Sequence, residues 1–220
     1  MADIFDVDGI RMHISDDHRF GSDAVLLAKF MKPKRHDIVY DLCTGSGIIP
    51  VLLSKNKNIP KAIYAMDISY EAISLLERTI SDNNLDFIVP IRADLREFKT
   101  VGEQNADMIS VNPPYFRQGS GKERQSFSQA HARHELSCNL TDIARAAKRL
   151  LKYGGYLKMC HIPERLTDVI CTLRENNLEP KEIIFINGYN NPVPWLFLVS
   201  AKKGGKPGIK ISFKPMTEGI

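Results

Sequence analysis

The chain has 220 residues, 43% hydrophobic and 25% charged, with a net charge of +4 and a pI near 8.8. That length suits one α/β domain with a full core rather than two, and no apolar run approaches the ~20 residues that span a bilayer. The mild positive charge permits a polyanionic partner without demonstrating one, and the acidic start Met-Ala-Asp-Ile-Phe-Asp lacks the basic and apolar regions of a signal peptide, so a cytoplasmic location is expected.

In chain order, Ile4–Val7, the turn signal Asp8-Gly9 and the alternating Ile10–Ile14 predict a β-hairpin. Phe20-Gly21-Ser22-Asp23 then leads into an apolar helix over 24–30, with Ser22 or Asp23 as its cap and Pro33 beyond its end. The same two residues are retained as site candidates, because that helix start precedes the first core strand.

That strand, Ile38–Cys43, runs into Thr44-Gly45-Ser46-Gly47 and a helix over 48–54. Strand, glycine turn and helix open a nucleotide-binding unit, since Gly45 and Gly47 let the backbone approach a ligand closely. Pro50 stands where a dinucleotide fingerprint needs its third glycine, which argues against a nicotinamide enzyme. The second strand, Ala62–Met66, ends in Asp67, with Ile68 next. A carboxylate about 20 residues past a glycine turn is placed to accept from ribose hydroxyls. A helix follows from Tyr70 to Ser81 with Ile73, Leu76 and Ile80 as a core stripe, and the third strand, 87–93, delivers Asp94-Leu95. On its own, Asp94 equally suits a solvent-facing carboxylate.

The fourth strand, Met108–Val111, ends in Asn112-Pro113-Pro114-Tyr115. Two prolines remove two backbone donors and fix two φ angles, so the chain leaves the sheet in one geometry. An amide and two carbonyls are then held beside an aromatic ring. This equipment suits a flat substrate carrying an –NH2 group: Asn112 and the Pro113 carbonyl accept the amino hydrogens while Tyr115, with Phe116, stacks on the ring. The competing explanation is a Pro-terminated strand and an ordinary turn. Residues 116–136 are glycine-rich and basic, and read either as a lid over phosphates or as a solvated surface loop. His131, His134 and Cys138 lack an evident fourth ligand, so no metal is expected; the four cysteines show no CxxC spacing and are expected to be reduced.

Thr141 or Asp142 can cap a helix over 143–151, followed by a fifth strand at 156–161, a helix over 164–176 and two antiparallel strands, 182–186 and 195–201. Lys202-Lys203-Gly204-Gly205-Lys206 reads as a basic, flexible tail. The fold class expected is α/β, a doubly wound, seven-stranded, mostly parallel sheet of Rossmann-like type with the last strand antiparallel. It forms one domain over 1–220: hairpin and helix 1–33, core 34–201, tail 202–220.

The Asp41-x-x-Thr-Gly-x-Gly turn and the Asn112-Pro113-Pro114-Tyr115 loop resemble the amino-group methyltransferases that use S-adenosylmethionine (SAM). The helix start Phe20–Leu27 and the stretch from Ala132-Arg133-His134-Glu135 through Gly204-Gly205-Lys206-Pro207-Gly208 are similar to bacterial tRNA1(Val) adenine-N6 methyltransferases, and the resemblance covers residues from about 18 to 210. The resemblance implies the class I methyltransferase fold with strand order 3-2-1-4-5-7-6. It implies SAM as cofactor, bound by Asp41, Thr44, Gly45, Gly47, Asp67, Ile68, Asp94, Leu95 and Asn112. It also implies catalysis by Asn112, Pro113, Pro114 and Tyr115, and methylation of the adenosine 3′ of the anticodon in a valine tRNA. Candidates for RNA contact are Tyr115, Phe116, Arg117, Lys122, Arg124, Arg133, Lys202, Lys203 and Lys206; the basic ones equally suit surface charge. Other planar amino or amide substrates stay open: guanine N2 of rRNA, glutamine N5 of a protein, or adenine of DNA. So do a non-catalytic RNA-binding relative and the choice between monomer and homodimer. About 40 residues before the glycine turn leave little room for the helical domain that glutamine enzymes usually carry there.

Overall fold

The structure, a computed structural model, describes residues 3–97, 104–113, 138–188 and 191–215. Asp3–Val7 (β1) and Ile10–Ile14 (β2) form the expected antiparallel hairpin. Its turn residues Asp8 and Gly9 have φ of 50° and 82°, the left-handed pair that matches the twist of a two-residue hairpin. Ile10, Met12 and Ile14 point one way along β2 and are buried. They seat the hairpin on the main body, where Thr79 and Asn83 side chains accept the His13 and Arg11 N–H groups at 2.9 and 3.0 Å.

The core alternates strand and helix. Ser22–Phe30 is α1, Ile38–Leu42 is β3, Ile48–Ser54 is α2, Ala62–Asp67 is β4, Tyr70–Asn83 is α3, Ile88–Arg92 is β5 and Ala106–Val111 is β6. Leu140–Leu150 (α4) leads into Leu151–His161 (β7), then Leu166–Glu175 (α5), Leu178–Gly188 (β8), Asn191–Lys203 (β9) and Lys210–Pro215 (β10). The sheet order is β5-β4-β3-β6-β7-β9-β8-β10. Strands β3 to β7 run parallel, and β9 is antiparallel to both β7 and β8. Counting from β3, this is the expected 3-2-1-4-5-7-6 order with an eighth strand added at the edge.

Three sequence expectations are corrected. The stretch after 201 is not a flexible tail: Lys202 and Lys203 complete β9, and β10 pairs parallel to β8 from Lys210 to Pro215. Gly21, not Ser22 or Asp23, is the N-cap of α1, although the Asp23 carboxylate accepts from the Ala24 N–H at 3.0 Å. Asn139 caps α4, with a reciprocal capping box in which Asn139 and Asp142 each accept the other's backbone N–H.

Two apolar layers flank the sheet. Ala24 and Leu27 of α1, Ile49 and Val51 of α2 and Leu76 of α3 pack with Val39, Ile63 and Cys160 on one face. Ile143 and Ala147 of α4 with Val169 and Leu173 of α5 cover Tyr40, Leu42, Ile109 and Phe197 on the other. Strands sandwiched in this way read as continuous apolar runs, which is how the sequence shows them. One polar row crosses the buried sheet: the register aligns Asp41, Ser110, Lys158, Ser200 and Glu182 side by side. Lys158 is buried, donates from Nζ to the Phe30 carbonyl at 2.6 Å and lies over the Phe30 ring, so it fastens the end of α1 to the sheet.

Candidate active site

The order reverses between β3 and β6, whose neighbours β4 and β7 lead away to either side; ligands of open α/β sheets bind in the crevice outside the carboxyl ends of strands at such a point. Asp41, Thr44, Gly45, Gly47, Asp67, Ile68, Asp94, Leu95, Asn112 and Pro113 all lie at or just beyond the ends of β3, β4, β5 and β6. The structure therefore gathers onto one edge residues from Asp41 to Pro113, up to 72 positions apart in the chain. Pro114, Tyr115, Phe116, Arg117, Lys122, Arg124 and Arg133, and the expected lid at 116–136, lie outside the described residues.

Left-handed backbone shapes the turn after β3: Cys43, Gly45 and Gly47 have φ of 58°, 56° and 88°. A Cβ on Gly45 would meet nothing within 4 Å, so this glycine borders open space. A Cβ on Gly47 would stand 2.4 Å from Leu76 Cδ1, so that glycine lets α2 and α3 approach. The turn is tied to β4 by Asp67: its carboxylate accepts from Gly45 N–H and Ser69 N–H, both at 2.9 Å. Ser69 in turn meets His18 Nε2 at 3.1 Å, bringing the segment after the hairpin to the same edge.

Asp41 is 1% exposed and is held between two hydroxyls, Thr44 Oγ1 and Ser110 Oγ, each donating at 2.6 Å. Burial outweighs these hydrogen bonds and pushes its carboxyl up to about 7. A cation brought alongside would stabilise the charged form. Asp94 stands in the opposite regime. Arg96 donates from Nε to both carboxylate oxygens and from Nη2 to Oδ2, and holds Asp94 below the usual carboxylate range. Leu95 beside it is buried, whereas Ile68 is 42% exposed.

Asn112 and Pro113 lie directly after β6. The buried Cys160 on β7 donates its S–H to Asn112 Oδ1 at 2.9 Å, which leaves that oxygen a second lone pair. Ser110, Arg96, Cys160, Ser69 and His18 were missed by sequence reasoning. Ser110 carried a usable signal, because it sits two residues before Asn112 and therefore shares its face.

The basic residues divide differently. Lys203 is buried and its Nζ donates to the Lys148 and Leu151 carbonyls at 2.6 and 2.7 Å, satisfying the end of α4. Lys202 lies over the Tyr156 ring and Lys206 is exposed. All three are at the amino edge of the sheet, opposite Asn112, because β9 runs antiparallel to β7 and pairs Lys202 with Tyr156. Among the described residues no group of three or more His, Cys, Asp or Glu side chains is arranged to hold a metal, and no helix is long and apolar enough to cross a membrane.

The family model of the methyltransferase small domain matches residues 16–165, more than half of the chain. The chain belongs to that family. Its members are SAM-dependent methyltransferases, and this chain has the class I fold. The chain is similar to the tRNA1(Val) (adenine(37)-N6)-methyltransferase of Haemophilus influenzae, 26% identical over 148 residues, which are 66% of this chain and 63% of that protein. It is also similar to the ribosomal protein uL3 glutamine methyltransferase of Bradyrhizobium diazoefficiens, 36% identical over 101 residues, covering 45% of this chain and 30% of that one. In structure it resembles a predicted O-methyltransferase of Agrobacterium tumefaciens, with TM-score 0.64, 19% identity, and coverage of 88% of this chain and 85% of the other.

The residues at this edge suit the donor that the family uses. SAM carries an amino cation, a ribose diol and an adenine, and the edge presents a buried carboxylate on β3, a carboxylate on β4 and a carboxylate with an apolar neighbour after β5. Gly45, whose N–H is held by Asp67, borders open space at this edge. A carboxylate matches the charge of the amino cation and can accept hydrogen bonds from the ribose hydroxyls and the adenine amino group.

Proposed function

We propose that this protein methylates the exocyclic N6 of an adenosine in tRNA, at the position 3′ of the anticodon in a valine tRNA. The observation that carries the reading is Asn112-Pro113 at the end of β6, beside the glycine turn, with the amide oxygen oriented by Cys160. The tRNA assignment is supported by the named relatives, which match over much of the chain.

An adenine amine is a poor nucleophile because its lone pair is conjugated into the ring. Asn112 Oδ1 and the Pro113 carbonyl accept its two hydrogens and favour a pyramidal nitrogen, which frees the lone pair. Bound SAM supplies an electrophilic sulfonium methyl. Asp41 takes the amino cation, Asp67 the ribose hydroxyls, and Asp94 with Leu95 the adenine, so the turn from Thr44 to Gly47 fixes the direction of attack; Ile68 flanks the nucleoside. Positioning of this kind supplies much of the acceleration. The nitrogen becomes acidic once alkylated and releases its proton to water, so no strong base is required. The target base must leave the anticodon-loop stack, where Tyr115 and Phe116 receive it.

A glutamine side chain also presents a planar –NH2, and the uL3 relative makes protein methylation the second reading. Labelled SAM offered with an extract containing undermodified tRNA and ribosomal proteins separates them. Label in the nuclease-sensitive fraction is expected; label only in the protease-sensitive fraction overturns the tRNA reading.

A further inference from the structure

A basic groove opens beside the C-terminal half of α4, where that helix reaches the amino edge of the sheet. It has a volume of about 480 Å³ and is lined by Gln104, Arg145, Lys148, Arg149, Asn176 and Lys203. Four of the six are cations and none is a carboxylate. The nearby Glu179 carboxylate is bound to Arg174 Nε at 3.2 Å.

The four cations have different duties. Lys203 satisfies the last carbonyls of α4, and Arg149 donates from Nη2 to the Leu95 carbonyl at 2.7 Å. These two hold the fold together. Burial, with Lys148 close by, pushes the Lys203 ammonium below its ordinary value. Arg149 Nε is buried without a hydrogen-bond partner among the described residues. Arg145 and Lys148 are exposed on the outer side of α4, one turn apart, and have no ion-pair partner among the described residues. A cluster of cations around a concavity, with a donor left over, has the chemistry of a phosphate site.

The site is connected to the active edge by α4. Cys138, just before that helix, lies close enough to Cys43, in the turn that follows β3, to push the Cys43 thiol up. Lys148 lies 10 residues further on, which at the rise of an α-helix is about 15 Å. A free nucleotide or phosphate could fill the groove, but an RNA chain with a base in the active site has phosphates at that distance.

We propose that the groove formed by Arg145, Lys148 and Arg149 binds backbone phosphates of the substrate RNA, away from the base being methylated. This rests on the tRNA reading above. The outer face of α4 is then a second contact surface, and it replaces Lys203 as the source of available charge on this edge.

The test is binding of a fluorescent tRNA transcript to the full chain, read as anisotropy across a series of salt concentrations. The variant is Arg145→Glu with Lys148→Glu. Arg145→Gln with Lys148→Gln serves as a milder pair should charge reversal disturb folding. Loss of two phosphate contacts predicts roughly tenfold weaker binding and a slope of log K against log salt shallower by about 1.5, with SAM affinity unchanged. Unchanged tRNA affinity and slope would overturn the proposal. So would a variant that loses binding of inorganic pyrophosphate yet binds tRNA like the parent, because the groove would then serve a free phosphate ligand. Failure of the tRNA methylation reading shows separately, as absence of N6-methyladenosine from reactions of the parent protein.

Discussion

Asp41 stands on β3, and Asn112 directly follows the neighbouring strand β6. Burial raises the Asp41 carboxyl to about 7, above its unfolded value of 3.8. Its contribution to stability is therefore full below pH 3.8 and is lost as pH rises through 7. An amino cation bound beside it favours the carboxylate. SAM affinity should accordingly rise between pH 6 and 8, with net proton release near pH 6, and Asp41→Asn should flatten that dependence. Calorimetry in buffers of different ionisation enthalpy reads both; equal pH profiles for parent and variant would remove Asp41 from the amino-group site. Asn112 acts on the substrate instead. Asn112→Ala should lower methyl transfer by at least about 10²-fold, in the range seen when one positioned hydrogen-bonding group is removed, with SAM affinity nearly unchanged. Equal loss of both would contradict its role. Asp41, Gly45, Gly47, Asp67 and Asn112 were legible because each belongs to a short motif. Arg96 and Cys160 were not, because their partners are set by a local ion pair or by register between strands, which short motifs do not encode; Ser110 offered only its place two residues before Asn112.

At the scale of elements, the turn after β3 connects sequence to packing. Gly47 needs a left-handed φ and has Leu76 where a Cβ would go. Gly47→Ala should lower stability by about 1–3 kcal/mol, given the cost of such a backbone conformation for a non-glycine residue. The shift should appear in the denaturant midpoint, and an unchanged midpoint would mean that the turn rearranges freely. Helix α4 depends on its cap. Asn139→Ala should cost about 1 kcal/mol, with the same measurement as its check. The sequence placed the strands and helices of the core because apolar runs bounded by glycine, proline and polar residues mark them. The caps of α1 and α4 fell elsewhere, since several adjacent polar residues were equally able to cap. Strand β10 was missed for a different reason. All six of its residues are exposed, so no face carries a burial pattern, and Gly204, Gly205 and Gly208 before it suggested loose chain.

For the whole molecule, the two edges of the sheet divide the work. The carboxyl edge carries carboxylates that suit a cationic nucleoside donor and an amide that suits a planar amine. The amino edge carries arginine and lysine that suit phosphates. A net charge of +4 is too small to indicate this arrangement, because opposite charges are segregated by topology rather than by position in the sequence. The fold class was legible from the alternation of elements. Placement of Lys202, Lys203 and Lys206 away from Asn112 was not, since it follows from β9 running antiparallel. The central claim, methyl transfer to adenine N6 in tRNA, is tested most directly by nucleoside mass spectrometry. Total bacterial tRNA lacking N6-methyladenosine is incubated with the protein and labelled SAM, then digested. A new, labelled N6-methyladenosine peak is the predicted result. SAM bound with no such peak, or label in a different nucleoside, would contradict it.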